Sequence, residues 1–238
     1  MKHKITINCD LGEGIKNEAS IFQFIDRASI ACGGHFGDVK TIYESLVLAN
    51  NNQVNCGAHP SFPDKENFGR KPMKIPAFKL KDALCFQLEK YLEVSQKCSM
   101  SVDHIKAHGA LYNVMMHDLK TAETLIYARE DFGLTCPIFA LCDSPFYREF
   151  NRDIPLLQEA FVDRMYTNEK TLASRNLEGS VIENVNAAME QYESFCEGKE
   201  VKTIEGSFIK ISPQTVCIHG DNPASLDILK AIKKGNND

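Results

Sequence analysis

Five side chains in this sequence stand where α/β proteins do chemistry. Asp10, His35, His59, His108 and His219 each follow a short apolar run. An Asp with two His can hold a metal ion and keep one coordination position open. Imidazole is also the usual proton carrier near neutral pH. Spacing alone leaves both readings standing. If a metal is present, its ligands are expected to be Asp10, His35 and His59. A lone His at a strand end is more often structural. Four of the 7 histidines at such ends shift the balance toward function for the group. Around them lie Asn8, Glu13, Asp38, Asp64, Arg70, Asn113, Asp163, Arg164 and Asp221. Lys106 precedes His108 by two, so on a strand both point to one face. It can bind an anionic group or a developing oxyanion. The plain alternative is a pair with Asp103 or a neighbouring carboxylate. Asp221 can equally cap the last helix, with Pro223 in its first turn. No His-Glu-x-x-His pair occurs. The Gly-x-Gly at Gly12 and Gly14 lacks the spacing of a nucleotide loop.

Short apolar runs bounded by Gly, Pro or Asp must position these groups. They are Ile5–Cys9, Ala28–Cys32, Val54–Cys56, His104–Lys106, Pro137–Leu141, Leu156–Val162, Phe208–Ile211 and Val216–Ile218. Runs this short fit buried strands. Between them Asp38–Asn50, Pro76–Lys97, Thr121–Glu130, Val181–Cys196 and Pro223–Lys233 carry helical patterns. Val39, Ile42, Tyr43, Leu46, Val47 and Ala49 are expected near one face of the first. Asp38 is its expected cap. Strands alternating with helices imply a mainly parallel sheet, open or closed, with ligands outside the carboxyl ends of its strands. Cys9, Cys32 and Cys56 recur at similar intervals before Asp10, His35 and His59, and Cys217 precedes His219. This echo suggests equivalent strand ends facing one site. No linker or low-complexity tract divides residues 1–238, so one domain is expected, with a frayed tail from Gly235.

The bulk numbers exclude several classes. The net charge is -5 with no dense basic run, so the footprint of a nucleic-acid binder is missing. A small molecule or another protein is the expected partner. No apolar stretch is long enough for a membrane span, and the first residues lack a secretory signal. A cytoplasmic protein is expected. The 9 cysteines form no Cys-x-x-Cys pair, and four of them, Cys9, Cys32, Cys56 and Cys217, lie in short apolar segments and read as small buried side chains in a reducing compartment.

Longer segments carry a resemblance. Asn8-Cys9-Asp10-Leu11-Gly12-Glu13-Gly14, Ile30-Ala31-Cys32-Gly33-Gly34-His35 and Gly57-Ala58-His59-Pro60-Ser61-Phe62-Pro63-Asp64 resemble the LamB/YcsF family, that of the A subunit of the ATP-dependent 5-oxoprolinase. Phe68-Gly69-Arg70, Lys106-Ala107-His108-Gly109-Ala110-Leu111-Tyr112-Asn113, Asp163-Arg164-Met165-Tyr166 and Cys217-Ile218-His219-Gly220-Asp221 continue it. The sequence departs from the family pattern at Gly34 (usually Phe), across Phe36–Val39, at Lys71, Ala107 and Val162, and around 65–67 and 171–179.

The resemblance implies a single-domain distorted (β/α) barrel of mainly parallel strands, similar to glycoside hydrolase and deacetylase barrels. It implies hydrolytic opening of the lactam 5-oxo-L-proline to L-glutamate, coupled to ATP hydrolysis through an assembly with subunits B and C. ATP is then the cofactor of the complex, and a metal is left open, as is a homo-oligomer. On this reading Asp10, His59, Lys106, His108 and His219 are catalytic. Asp10 or His59 activates water, and His108 or His219 protonates the ring nitrogen. Lys106 and Arg70 hold carboxylate or phosphate. Asn8, Glu13, His35, Arg70, Asn113, Asp163, Arg164 and Asp221 bind substrate. Two other readings stay open: a stand-alone metal-dependent deacylase, and a non-catalytic protein that binds a small acid.

Overall fold

The computed structural model describes residues 5–235. The reading of the first four residues, and of the tail beyond Gly235, lies outside them. The chain runs β1 (Thr6–Leu11), α1 (Glu18–Ile21), β2 (Arg27–Ala31), α2 (Val39–Asn52), β3 (Asn55–His59), α3 (Ala77–Lys97), α4 (Gly109–Met115), α5 (Leu119–Asp131), β4 (Ile138–Leu141), α6 (Pro145–Phe150), β5 (Leu156–Phe161), α7 (Val185–Glu197), β6 (Glu200–Lys202), β7 (Phe208–Lys210), β8 (Thr215–Cys217) and α8 (Ser225–Gly235). Six strands form one parallel sheet in the order β3-β2-β1-β8-β5-β4. Their residues are mostly buried, as strands covered by helices must be.

The two edges of that sheet are joined by residues 104–106. Ile105 bridges Ala58 of β3 and Ile138 of β4, both in parallel. The Ala58 and Lys106 N–H groups donate across one seam, to His104 O at 3.1 Å and Ala58 O at 3.0 Å. The Ile105 and Phe139 N–H groups donate across the other, to Pro137 O and Ile105 O, both at 2.9 Å. The result is a distorted (β/α) barrel, closed by a bridge rather than a full strand. Closure depends on Gly57. A Cβ there would stand 2.3 Å from the His104 carbonyl oxygen.

The helices pack through narrow stripes. α2 buries Ile42, Ser45, Leu46 and Ala49, while Val39, Tyr43 and Val47 face outward, unlike the expected single face. The buried residues follow i, i+4, i+7, and the exposed three form the adjacent i, i+4, i+8 row. Asp38 caps α2 in a capping box with Thr41, as its sequence suggests. α7 starts at Val185 rather than Val181, because the Asn184 side chain accepts from the Ala187 N–H at 3.0 Å. α8 starts at Ser225, beyond Pro223, and Asp221 does not cap it. Asn222 accepts from the Ala224 N–H instead, and the Asp221 carboxylate is engaged by two arginines.

Phe208–Ile211 is not part of the parallel sheet. β7 pairs antiparallel with β6 as a small separate ribbon. Its alternating exposure fits a surface hairpin rather than a covered strand. The cysteine echo does not mark equivalent levels either. Cys9 and Cys56 both lie level with Ala28, whereas Cys217 lies level with Asn8 and Cys32 follows the end of β2. None of the 9 cysteines forms a disulfide, and Cys9, Cys32, Cys56 and Cys217 are buried as expected.

Candidate active site

The polar side chains gather on the barrel axis and above it. Asn8 and Asp10 point inward from β1, being two residues apart, and Glu159 and Phe161 do so from β5. Lys106 enters from the closing segment. Its Nζ lies 2.8 Å from Asp10 Oδ1 and 2.8 Å from Glu159 Oε1, and donates to Asn8 Oδ1 at 3.1 Å. Lys106 and Glu159 are almost wholly buried. Burial disfavours each charge, but the partners decide the outcome. Asp10, Cys217 and Glu159 hold the Lys106 ammonium protonated against its burial. His59 and Lys106 keep the Asp10 carboxyl far below the ordinary range despite its burial. Glu159 goes the other way: burial, aided by Asp10, pushes its carboxyl up against the pull of Lys106. Lys106 is thus paired with Asp10 on one side and stands at the same 2.8 Å from Glu159 on the other.

Beside this pair sits a histidine cluster. His59 Nδ1 contacts Lys106 O at 2.7 Å, and His108 Nε2 contacts Phe68 O at 3.0 Å. A carbonyl can only accept, so both of these nitrogens carry a proton. The remaining nitrogens, His59 Nε2 and His108 Nδ1, lie 3.0 Å apart. Glu13 Oε1 is 3.2 Å from His108 Nδ1, 3.8 Å from His59 Nε2 and 2.9 Å from His35 Nε2. Burial lowers the pKa of His59 to about 3, against the pull of Asp10 and Glu13. It lowers that of His35 too, against the hydrogen bond to Glu13. Glu13 is held well below the usual carboxylate range, because its contacts with His108 and His35 outweigh its burial. Gly69, at φ +64, lets its backbone pass this cluster. A Cβ would stand 2.9 Å from the His35 Cβ. A side chain does not fit at Gly34, where the Gln87 amide and the Ser61 hydroxyl occupy the space.

A third group lies across the barrel, where β5 and β8 end. Asp163 Oδ1 is 2.9 Å from His219 Nδ1, and its Oδ2 accepts from the His219 N–H at 3.0 Å and from Asn222 at 3.2 Å. These contacts, above all those with His219, outweigh burial and hold the Asp163 carboxyl below its usual range. Ionised Asp163 fixes the proton on His219 Nδ1 and leaves Nε2 as the acceptor. The ring stacks on Phe161, with centroids 5.3 Å apart.

These groups surround a cavity of about 510 Å³. Asp10, Glu13, Lys106, His108 and His219 form its inner wall; Arg70, Asn113, Arg164 and Asp221 lie further along its lining. Asn8, His35, His59 and Asp163, also expected at the site, sit behind the wall and hold those in front. Lys106 and His108 do share a face, as their spacing predicts. The arginines divide the outer part. Arg70 and Arg175 both contact Asp221, Arg175 at 3.4 Å. Arg164 is buried and donates to the Ala173 and Ser180 carbonyls, so it ties down the loop that carries Arg175. Burial and the nearby Arg175 lower its pKa to about 10.

Two contributors were not among the sequence candidates. Glu159 is a single carboxylate inside an apolar run, a signal in itself, since a buried strand carries a charge only beside a partner. Arg175 lies in a loosely patterned loop where nothing in spacing distinguishes it. The ligand-capable group the fold assembles also differs from the expected Asp10, His35 and His59. Glu13, His35, His59 and His108 place one ligand atom each within 4.8 Å of one another, and Asp10 falls with Cys217 and His219.

The LamB/YcsF family model matches residues 5–238. The A subunit of 5-oxoprolinase from Vibrio parahaemolyticus is 32% identical over 98% of this chain and 96% of its own length. That of Vibrio campbellii is 32% identical over 97% and 95%. The crystal structure of the lactam utilization protein from Thermus thermophilus superposes with a TM-score of 0.88 at 27% identity, covering 98% of this chain and 97% of that one.

Proposed function

The chain belongs to the LamB/YcsF family, and from that premise we propose that it acts as the A subunit of an ATP-dependent 5-oxoprolinase, opening 5-oxo-L-proline to L-glutamate. The names of its Vibrio relatives and the Thermus protein support a lactam as substrate. The observation that carries the reading is a cavity with guanidinium donors near its outer part and a carboxylate-oriented imidazole within.

A lactam resists water because resonance makes its carbon a poor electrophile and its nitrogen a poor leaving group. Phosphorylation of the lactam oxygen by ATP, on subunits B and C, would remove the first obstacle. This chain's residues answer the second. Water adds to the ring carbon, the C–N bond breaks as the protonated nitrogen leaves as an amine, and a second water hydrolyses the resulting γ-glutamyl phosphate to glutamate and inorganic phosphate. Of the candidates for water, Asp10 faces the cavity whereas His59 stays behind it. Asp10 accepts a hydrogen bond from the attacking water and orients it, its charge held in place by Lys106. Of the candidates for the proton, His108 turns both ring nitrogens toward protein groups, His59 and the Phe68 carbonyl, while His219 lines the cavity with only its Nδ1 tied to Asp163. His219 therefore takes the water proton and returns it to the nitrogen, with Asp163 stabilising the imidazolium between the two steps. Arg70 and Arg175 hold the carboxylate or phosphate of the substrate. Lys106, already surrounded by Asp10, Glu159 and Asn8, serves Asp10 rather than the substrate. The 9 unbridged cysteines support a reducing, cytoplasmic setting.

The test is to combine the chain with subunits B and C, ATP and 5-oxoproline. Glutamate is expected only when all three proteins are present. Glutamate formation by B and C alone, or none with all three, would rule the assignment out.

A further inference from the structure

We infer that Glu13, His59 and His108 form a binding site for one divalent transition-metal ion, with His35 as its outer hydrogen-bonding partner. Two backbone carbonyls fix the tautomers. The Lys106 carbonyl holds the proton of His59 on Nδ1, and the Phe68 carbonyl holds that of His108 on Nε2. Each ring then turns a lone pair toward the other across 3.0 Å. The Glu13 carboxylate adds a third acceptor, 3.2 and 3.8 Å from the two nitrogens. Three buried acceptors aimed at one point repel each other unless a cation lies among them. A single proton satisfies one such contact at a time. A metal ion satisfies all three.

The spacing suits a metal. Bonds of about 2.0–2.1 Å in a tetrahedron put ligand atoms about 3.3 Å apart, and the three separations of 3.0, 3.2 and 3.8 Å bracket that value. The surroundings suit it as well. Metal-bound histidines donate their other N–H to a carbonyl or carboxylate, which both rings already do, and ligating carboxylates are themselves hydrogen-bonded. His35 Nε2 supplies that bond to Glu13 at 2.9 Å. His35 stacks flat against His108, 3.6 Å between centroids, and its Nε2 is already committed to Glu13, so His35 belongs outside the ligand set. Two imidazoles and one carboxylate favour zinc or a neighbouring ion over magnesium or calcium. Glu13 and His108 also line the cavity, which leaves the ion open to water or an anion from that side.

This site stands independently of the lactam reaction, because its readout is metal binding alone. The chelator-treated full chain is titrated with Zn²⁺ and, separately, Co²⁺. One ion per chain is expected, with Co²⁺ giving the intense visible absorption of a four-coordinate site, and Tm rising with metal concentration. His59→Gln and Glu13→Gln are expected to lose at least about 100-fold in affinity, and His35→Gln about 10–100-fold. Less than about a tenth of an equivalent bound by the folded wild type, or a Tm indifferent to either metal, overturns the inference. Should a variant not fold, those two wild-type measurements still decide it.

Discussion

Lys106 and the arginines bring positive charge to the same cavity, and their surroundings give them different work. Lys106 is a buried ammonium whose removal leaves Asp10 and Glu159 facing each other. Lys106→Met is expected to cost about 3–5 kcal/mol, as breaking a buried pair usually does, read from denaturant unfolding. Arg175 touches Asp221 and lines the cavity. Arg175→Ala is expected to raise KM for the lactam about 10–100-fold while kcat changes little, because it holds the substrate equally in ground and transition states. A fall in kcat at constant KM would contradict that role. At this scale much was legible in the sequence. Asp10, Glu13, Lys106, His108 and His219 lie at or just after the ends of short apolar runs, and the fold brings them to one cavity wall. The division of roles was not legible. Whether a histidine faces the cavity or backs the wall depends on which carbonyl its ring meets, as His59 shows with Lys106.

The elements differ in how strongly each was written. The hydrophobic runs that became β1 to β5 and β8 lie close to their expected bounds, since period and length both point to covered strands. Residues 104–106 are too short to count as a strand, yet they close the barrel. That function rests on Gly57, in another segment, leaving room for the His104 carbonyl. β7 misled because a short apolar run reads alike in a covered strand and in a surface hairpin. Two substitutions test the elements. Asn184→Ala removes the cap of α7 and is expected to cost about 1 kcal/mol. Gly57→Ala forces a methyl against the His104 carbonyl and is expected to cost more, about 1–3 kcal/mol. Thermal unfolding of both gives the order. Equal or reversed effects would mean that closure at 104–106 contributes little.

For the molecule as a whole, the barrel accumulates buried ionisable groups near its axis, and pH is the lever that reveals them. His104 illustrates the sign away from the cavity. Burial lowers its pKa, against the hydrogen bond from its ring to Asp103. The folded chain keeps this ring neutral where the unfolded chain, at about 6.5, takes up a proton. Its contribution to stability is therefore full above about pH 6.5 and is lost as pH falls below it. Tm is expected to fall between about pH 8 and 5, with a shallower slope in His104→Gln. An equal slope in the variant would remove His104 from that account. The barrel's proposed chemistry turns on His219, which, oriented by Asp163, moves the proton that lets the lactam nitrogen leave. The most direct measurement is kcat for glutamate formation by the three-protein enzyme carrying His219→Gln, with folding verified by Tm. A loss of about 10²–10⁴-fold in kcat is expected; near-wild-type kcat in a folded variant would contradict that role of His219.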